Sequence, residues 1–521
     1  MPSVASTLAG AFDAAVRRDG LTPDPDLALL AGVVPDGDPA AVHGPHDLGP
    51  LHERLVAGDE RTRRGAWYTP RWLAEDLVRR AVGGRDGRVV DPSCGGGVFL
   101  LAAADRLVAD GVEPADAVAR LWGCDVDPLA VAVCEAALWW WSARAGCPTR
   151  VQLAVGDALT DVELPRAGAV VGNPPFLGQL RRDTAVSDQR RAELQARFGA
   201  VVRPYTDQAW LFLLLAVRSL EPGGRVALVQ PQSLLGARDA TGVRADVDQH
   251  ADLVELWVED APTFDGAVPV CAPVLQRRTS GATPAGPARS WTDALADARE
   301  VPPVALAGGT LLGEVAVVHA GFRDEYYGLA GAVAEGGPGP RLVTVGAIDP
   351  CRLHDDRDVR YARRRWRDPR VDVAALEGRA RRWAQVQAGP KLLVATQTRV
   401  VEAVADPDAT MLGSVPVLCV RPQDPGRLWH LLAALHAPAA SAWLVRRTIG
   451  TARSADACKP TVASLGALPL PAEGPAWDHA ADLARRCSEG TATIDDLAAA
   501  ADAAYGIDDP AVQRWWSARR R

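Results

Sequence analysis

The chain is 521 residues long, with 48% hydrophobic and 23% charged residues, which excludes a wholly disordered or fibrous protein and, at roughly 150 residues per domain, implies several domains. A formal net charge of -8 gives no sign of a polyanionic partner at the level of the whole chain. Of 57 basic residues only Lys391 and Lys459 are lysines, preceded by Pro390 and Cys458, so there is no Gly-Lys-Ser/Thr phosphate loop; with Gly389 and Ala457 two positions upstream, the (Asp/Glu)-x-Lys site of common restriction nucleases is absent as well.

Residues 1–60 mix short helical pieces with turn-rich stretches such as Val34-Pro35-Asp36-Gly37-Asp38-Pro39, and 48–55 reads as a helix leading into the arginines of 61–64. From Trp72 onward strand and helix alternate. The pattern predicts strands at 88–90, 121–124, 151–155, 169–172 and 225–230, with helices at 98–108, 129–141 and 208–220. Such alternation over about 200 residues predicts an α/β, doubly wound, mostly parallel Rossmann-like sheet with helices on both faces. Residues 279–303, rich in Ser, Gly, Ala and Pro, read as a linker. The expected organisation is an N-terminal helical segment (1–60), an α/β domain (61–278), the linker (279–303), a second mixed α/β domain (304–475) and a C-terminal helical segment (476–521). Nine cysteines without a Cys-x-x-Cys pair suggest neither a disulfide framework nor a zinc site. No apolar run approaches about 18 residues, so the expectation is a cytoplasmic protein without a membrane partner.

Four motifs carry chemistry. In Asp91-Pro92-Ser93-Cys94-Gly95-Gly96-Gly97 a strand ends in an acid and runs through three glycines into a helix, bringing backbone N–H groups and a carboxylate beside a ligand that bears an ammonium group. Taken alone, the run is equally a tight strand-to-helix turn. Asp125, in Gly123-Cys124-Asp125-Val126-Asp127-Pro128, ends the next strand, where a carboxylate can accept both hydroxyls of a ribose. A third strand-end acid is Asp157, in Gly156-Asp157-Ala158. The fourth motif, Gly172-Asn173-Pro174-Pro175-Phe176, decides the reading. The Asn173 oxygen and the Pro174 carbonyl, on a backbone stiffened by two prolines, can together accept both hydrogens of a planar exocyclic amine and free its lone pair for attack on a methyl sulfonium, with Phe176 stacking on the ring.

The order Gly65-Ala66-Trp67-Tyr68-Thr69-Pro70, then Asp91 to Gly97, Asp125, Asp157 and Asn173-Pro174-Pro175-Phe176 resembles the gamma class of DNA adenine-N6 methyltransferases, the TaqI-like and Eco57I-like group. The likeness runs from Leu48-Gly49-Pro50-Leu51-His52-Glu53 through Asp207, Leu220-Glu221-Pro222-Gly223-Gly224, Pro231 and Phe264. It implies S-adenosylmethionine as cofactor, its methionine part held by Tyr68, Thr69, Pro70, Asp91, Pro92, Cys94, Gly95 and Gly97, its ribose by Asp125 and its adenine by Asp157 and Ala158. It also implies that Asn173, Pro174, Pro175 and Phe176 form the catalytic motif, without a metal.

Beyond the linker, Gly389-Pro390-Lys391-Leu392-Leu393, Leu431-Leu432, Lys459-Pro460 and Leu468-Pro469-Leu470-Pro471 resemble the family's C-terminal target-recognition domain. Residues 351–400 hold 13 basic against 6 acidic residues, a local +7 hidden in the negative total. Within them Arg360, Arg363, Arg364, Arg365 and Arg367 interleave with Tyr361 and Trp366, a pattern suited to phosphate contact and base stacking, or to a solvated helix face. The expectation is a sequence-specific methyltransferase acting on the N6 amine of an adenine flipped out of double-stranded DNA, in restriction–modification or phage defence, alongside separate restriction or defence proteins. The alternatives are methylation of RNA or of a protein amide nitrogen, or a DNA-binding modification subunit that needs a partner.

Overall fold

The structure is a computed structural model and describes residues 3–30, 42–56, 69–176, 188–203, 206–259, 269–279, 290–307, 309–321, 323–337, 339–449, 457 and 459–520. The chain divides into two compact units, Met1–Trp291 and Thr292–Arg521.

The first unit is built on eight strands: β1 (Val89–Asp91), β2 (Leu121–Asp125), β3 (Gln152–Val155), β4 (Ala167–Gly172), β5 (Leu220–Leu228), β6 (Gln230–Pro231), β7 (Ala251–Val258) and β8 (Val270–Arg277). Strands β3, β2, β1, β4 and β5 lie side by side and parallel, and β8 adds antiparallel to β5, with β6 and β7 pairing β8. The register Val89↔Leu121 and Val90↔Val170 sets β1 between β2 and β4, where the strand order reverses; in doubly wound sheets that reversal opens a crevice at the carboxyl ends of the strands. The expected parallel sheet is therefore present, and the antiparallel pair β7 and β8 extends it. The interior of β8 is buried residue after residue from Val270 to Leu275, so it lacks the alternation that marks a strand by eye.

The helices follow from their caps and apolar positions. Asp127 caps the helix Pro128–Arg144 by accepting from the Leu129 N–H at 3.0 Å, and Pro128 fills a first turn where no N–H is needed. That helix is apolar nearly all round, which a helix buried on several sides requires. One of its neighbours is the N-terminal helix Val4–Arg18: the Phe12 ring meets Trp139 and Trp140 edge-on at centroid distances of 6.3 and 6.1 Å. Residues 4–18 thus share the core of the α/β sheet, because the apolar face of a single amphipathic helix has nothing else to bury against. Truncating Phe12 to alanine would cost about 3–5 kcal/mol.

The second unit contains a four-stranded antiparallel sheet, in the order Ala403–Asp406, Lys391–Val394, Leu418–Pro422 and Ala316–Ala320. Helices Leu428–His436, Pro475–Ser488 and Ile494–Ala504 share a buried core with it, so residues of the expected C-terminal segment belong to this unit too. Lys391 and Asp406 face each other across two of its strands as a fully buried ion pair, with Asp406 also accepting from the Thr410 and Met411 N–H groups at 2.8 and 3.0 Å. One of the two lysines is thus a structural cation; removing either partner would strand a buried charge at about 3–5 kcal/mol. The 279–303 segment is not wholly extended, since a helix forms at Trp291–Ala298. Asp293 and Asp297 on that helix pair with Arg446, at 3.4 and 2.8 Å, which ties it to the helix Pro438–Thr448.

Candidate functional site

A cavity of about 350 Å³ opens at the carboxyl ends of β1, β2, β3 and β4. Cys94, Gly95 and Gly96 form one wall, Asp125 to Asp127 a second, Gly156 to Ala158 a third, and Thr69, Asn173 and Pro175 the rim beside β4. The glycine loop has packing reasons as well as ligand reasons. A Cβ on Gly96 would lie 2.5 Å from the Gly49 Cα, and Gly97 turns the chain into its helix at φ 91°, where a Cβ would meet the Cys134 sulfur at 2.8 Å. Helix Leu48–Leu55 can therefore lie directly on the loop, and it contributes His52 and Glu53 to the cavity wall.

The acids differ in their surroundings. Asp91 is 1% exposed; its Oδ1 accepts the Ser93 N–H at 3.0 Å, while Oδ2 is buried with no hydrogen-bond partner. Burial, reinforced by the nearby Asp125 carboxylate, pushes its pKa up to about 8. A buried carboxyl oxygen left without a donor is costly, and a ligand ammonium would satisfy it. Asp125 accepts from the Gly95 N–H at 3.0 Å and from the Asp127 N–H at 2.9 Å, which ties the second strand end to the glycine loop. Asp157 accepts from the Leu159 N–H at 2.7 Å and is paired with Arg190 of the helix Asp188–Phe198. The arginine on Asp157 was not anticipated from sequence, because Arg190 lies on a separate helix 33 positions away.

Asn173 stands at the end of β4, and its Nδ2 donates to the Thr69 hydroxyl at 3.0 Å across 104 positions of chain. Of the expected site residues, Thr69, Pro92, Cys94, Gly95, Asp125, Asp157, Ala158, Asn173 and Pro175 line the cavity together. Asp91 is buried behind it; Pro70, Gly97 and Pro174 are neighbours in sequence of lining residues and do not line it. Phe176 is half-buried against the hydrophobic core and is not part of the lining, and Tyr68 lies outside the described residues, as do Trp67, Phe264 and the arginines of 61–64. Sequence reading missed Gln208 and Phe212, which line the cavity from one face of the helix Gln208–Ser219. The signal was present: Gln208 is the one amide at the start of a helix that is apolar from Ala209 to Val217, and Phe212 follows it at the i,i+4 spacing that shares a face.

In the second unit the arginine-rich run forms a β-hairpin, Val359–Tyr361 against Arg364–Trp366, rather than a helix face. Its turn places Ala362 and Arg363 at φ 49° and 65°, a two-residue turn of left-handed residues that suits strand twist but strains non-glycine side chains. Arg360 and Arg365 stand directly opposite each other, a like-charge pair that disfavours the hairpin in isolation. The other face is anchored: the Tyr361 hydroxyl donates to the Tyr326 carbonyl, the Trp366 indole donates to the Tyr361 carbonyl at 3.1 Å, and the Arg364 guanidinium lies 5.0 Å over the Trp366 ring. Arg360, Arg363, Arg364, Arg365 and Arg367 are all exposed and none is in an ion pair among the described residues, whereas Arg357, Arg370 and Lys391 of the same +7 segment are paired with Asp349, Asp368 and Asp406.

A sheet of this order with a strand-end cavity at its reversal has the fold of S-adenosylmethionine-dependent methyltransferases, joined here to a second mixed α/β unit. Residues 45–263 match the model of the N-6 DNA Methylase family. Among curated relatives, the chain is 24% identical over 195 residues to the type I restriction enzyme EcoEI methylase subunit of Escherichia coli, covering 36% of this chain and 37% of that protein. It is 34% identical over 124 residues to the type II methyltransferase M.XamI of Xanthomonas campestris pv. amaranthicola, covering 23% and 21%. The chain thus spans well under half the length of these relatives. A solved structure of the type IIL restriction–modification enzyme MmeI, in complex with DNA, matches 96% of this chain and 88% of its own at a TM-score of 0.56 and 12% identity, a likeness of fold.

Proposed function

We propose that the protein is a site-specific DNA adenine-N6 methyltransferase of the gamma class, serving restriction–modification or phage defence. The observation that carries this reading is Asn173, held through its amide by Thr69 at the end of β4 and on the rim of the same cavity that the strand-end acids Asp125 and Asp157 line, with Asp91 buried behind it. The cavity and the acid behind it suit S-adenosylmethionine: Asp91, with its buried oxygen lacking a donor, would take the methionine ammonium, Asp125 the ribose hydroxyls, and the Asp157–Ala158 wall the adenine. When bound, that cofactor supplies an electrophilic methyl group on a sulfonium. The chain's own contribution is to position and polarise the acceptor: the Asn173 oxygen and the Pro174 carbonyl accept the two amine hydrogens, which raises electron density on N6. An adenine stacked in a duplex is out of reach of such a cavity, so the base leaves the helix. The exposed arginines of the hairpin would hold the DNA backbone, with Trp366 and Tyr361 bracing them from behind.

The test is transfer of labelled methyl from S-adenosylmethionine by the purified protein to unmethylated duplex DNA, RNA and protein offered separately. Label on DNA as N6-methyladenine in one sequence context is expected, matched by that context appearing in the modification map of cells that express the chain. Label on RNA or protein alone overturns the reading, and label on DNA only after a second protein is added makes the chain a partner-dependent modification subunit.

A further inference from the structure

The hydrogen bond between Asn173 and Thr69 raises a question of orientation. An amide has a donor end and an acceptor end, and only one of the two arrangements can polarise an amine: Oδ1 must face the amine hydrogens, with Nδ2 turned away. In the structure Nδ2 is turned to Thr69, at 3.0 Å. A threonine hydroxyl does not by itself enforce that choice, since it accepts from Nδ2 or donates to Oδ1 with equal ease. What breaks the tie is the fate of its single hydrogen. Among the described residues Thr69 is 4% exposed, lines the cavity and donates to no protein acceptor, so its hydrogen is available to whatever fills the cavity.

We infer that Thr69 is a positioning residue that couples occupation of the cofactor cavity to the orientation of the Asn173 amide. When an acceptor on the cofactor, such as its carboxylate, takes the hydroxyl hydrogen, Oγ1 can only accept. The inverted amide, with Oδ1 on Thr69, then places two oxygens together without a proton between them and is disfavoured; the productive orientation is selected before the acceptor amine arrives. This rests on the methyl-transfer reading but not on DNA as the acceptor, because any planar amine or amide nitrogen needs the same Oδ1.

The test compares wild type with Thr69→Val, which keeps the shape and removes the hydroxyl, and Thr69→Ser, which keeps the hydroxyl and removes the methyl. Three quantities are measured: affinity for S-adenosylhomocysteine by calorimetry, kcat at saturating S-adenosylmethionine on whichever acceptor the wild type labels, and melting temperature. Thr69→Val is expected to weaken S-adenosylhomocysteine several-fold and to lower saturated kcat by about tenfold to a hundredfold, the size expected for misplacing one group in a reacting geometry. Thr69→Ser is expected to stay within about threefold of wild type in both, with melting temperatures alike. A Thr69→Val protein with wild-type kcat at saturation overturns the inference, since the hydroxyl would then serve the cofactor alone. Equal loss of kcat in both variants, or a melting temperature that falls with kcat, also overturns it, by assigning the effect to packing. A wild type that labels only RNA or protein removes the DNA reading and leaves the Thr69 comparison to be run on that acceptor.

Discussion

The cavity in the first unit and the hairpin in the second carry charge in opposite ways. At the cavity the acids are held one by one: Asp91 is fully buried behind it with its pKa pushed up to about 8, and Asp125 and Asp157 are each engaged by backbone N–H groups. Four arginines on the hairpin and Arg367 just after it are exposed, two of them face each other, and none is in an ion pair among the described residues. The first arrangement suits one small cation at one place, because a desolvated carboxyl interacts strongly only at hydrogen-bond distance. The second suits a repeating polyanion, where many screened contacts add and none needs an exact position.

The comparison breaks most visibly at Asn173. Replacing it by alanine is expected to lower transfer by at least about 1,000-fold, the scale of losing a main transition-state acceptor, while affinity for S-adenosylhomocysteine stays within about threefold. A comparable loss of affinity would show that Asn173 belongs to the binding wall.

Next in size is Asp91→Asn. S-adenosylhomocysteine binding is expected to weaken about 30- to 150-fold, corresponding to the ~2–3 kcal/mol of a charged hydrogen bond. The same variant tests the acid's free state. The folded pKa is raised, so the ligand-free native protein holds a proton that the unfolded chain releases near pH 4. Stability from this group is complete below that pH and is lost as pH rises toward about 8. Melting temperature of the free wild type is therefore expected to fall more steeply between pH 5 and 8 than that of Asp91→Asn; parallel curves would mean an Asp91 that stays ionised.

The hairpin is sharpened by neutralising Arg363, Arg364 and Arg365 together. DNA affinity is expected to drop about tenfold to a hundredfold at moderate salt, and the slope of log K against log salt to flatten by up to ~2.7, at ~0.9 for each phosphate no longer neutralised. An unchanged slope would place the DNA-binding surface elsewhere. The smallest effect is expected from Ala362→Gly, which relieves a left-handed alanine at φ 49° and should raise melting of the second unit by about 2–4 °C, an increment of ~1 kcal/mol. No change, or a lower melting temperature, would show that the turn is not strained.

Much of the first unit was legible in advance because parallel strands are buried apolar runs that end abruptly in polar residues. Asp91, Asp125, Asp157 and Asn173 were found by where their strands stop, and four neighbouring parallel strands bring their carboxyl ends to one edge whatever the helices between them do. The helix and strand bounds moved by at most five residues, most at β5, which begins at Leu220 through a register shift opposite β4 that no local pattern announces. Arg190, Gln208 and Phe212 were missed because each arrives from a helix whose local sequence does not say which strand end it will meet.

The linear sequence was enough to determine the chemistry of the strand ends, the absence of a lysine phosphate loop and the +7 segment, since these depend on residue type and short-range spacing. Only the tertiary structure decided what those residues meet. It laid Gly49 on Gly96, turned the Asn173 amide to a threonine 104 positions away, buried Lys391 on Asp406 while leaving the hairpin arginines in solvent, and folded the basic run as a strained turn with two arginines opposed. Such choices are pairings across long stretches of chain, fixed by packing and desolvation of groups that no local window contains together.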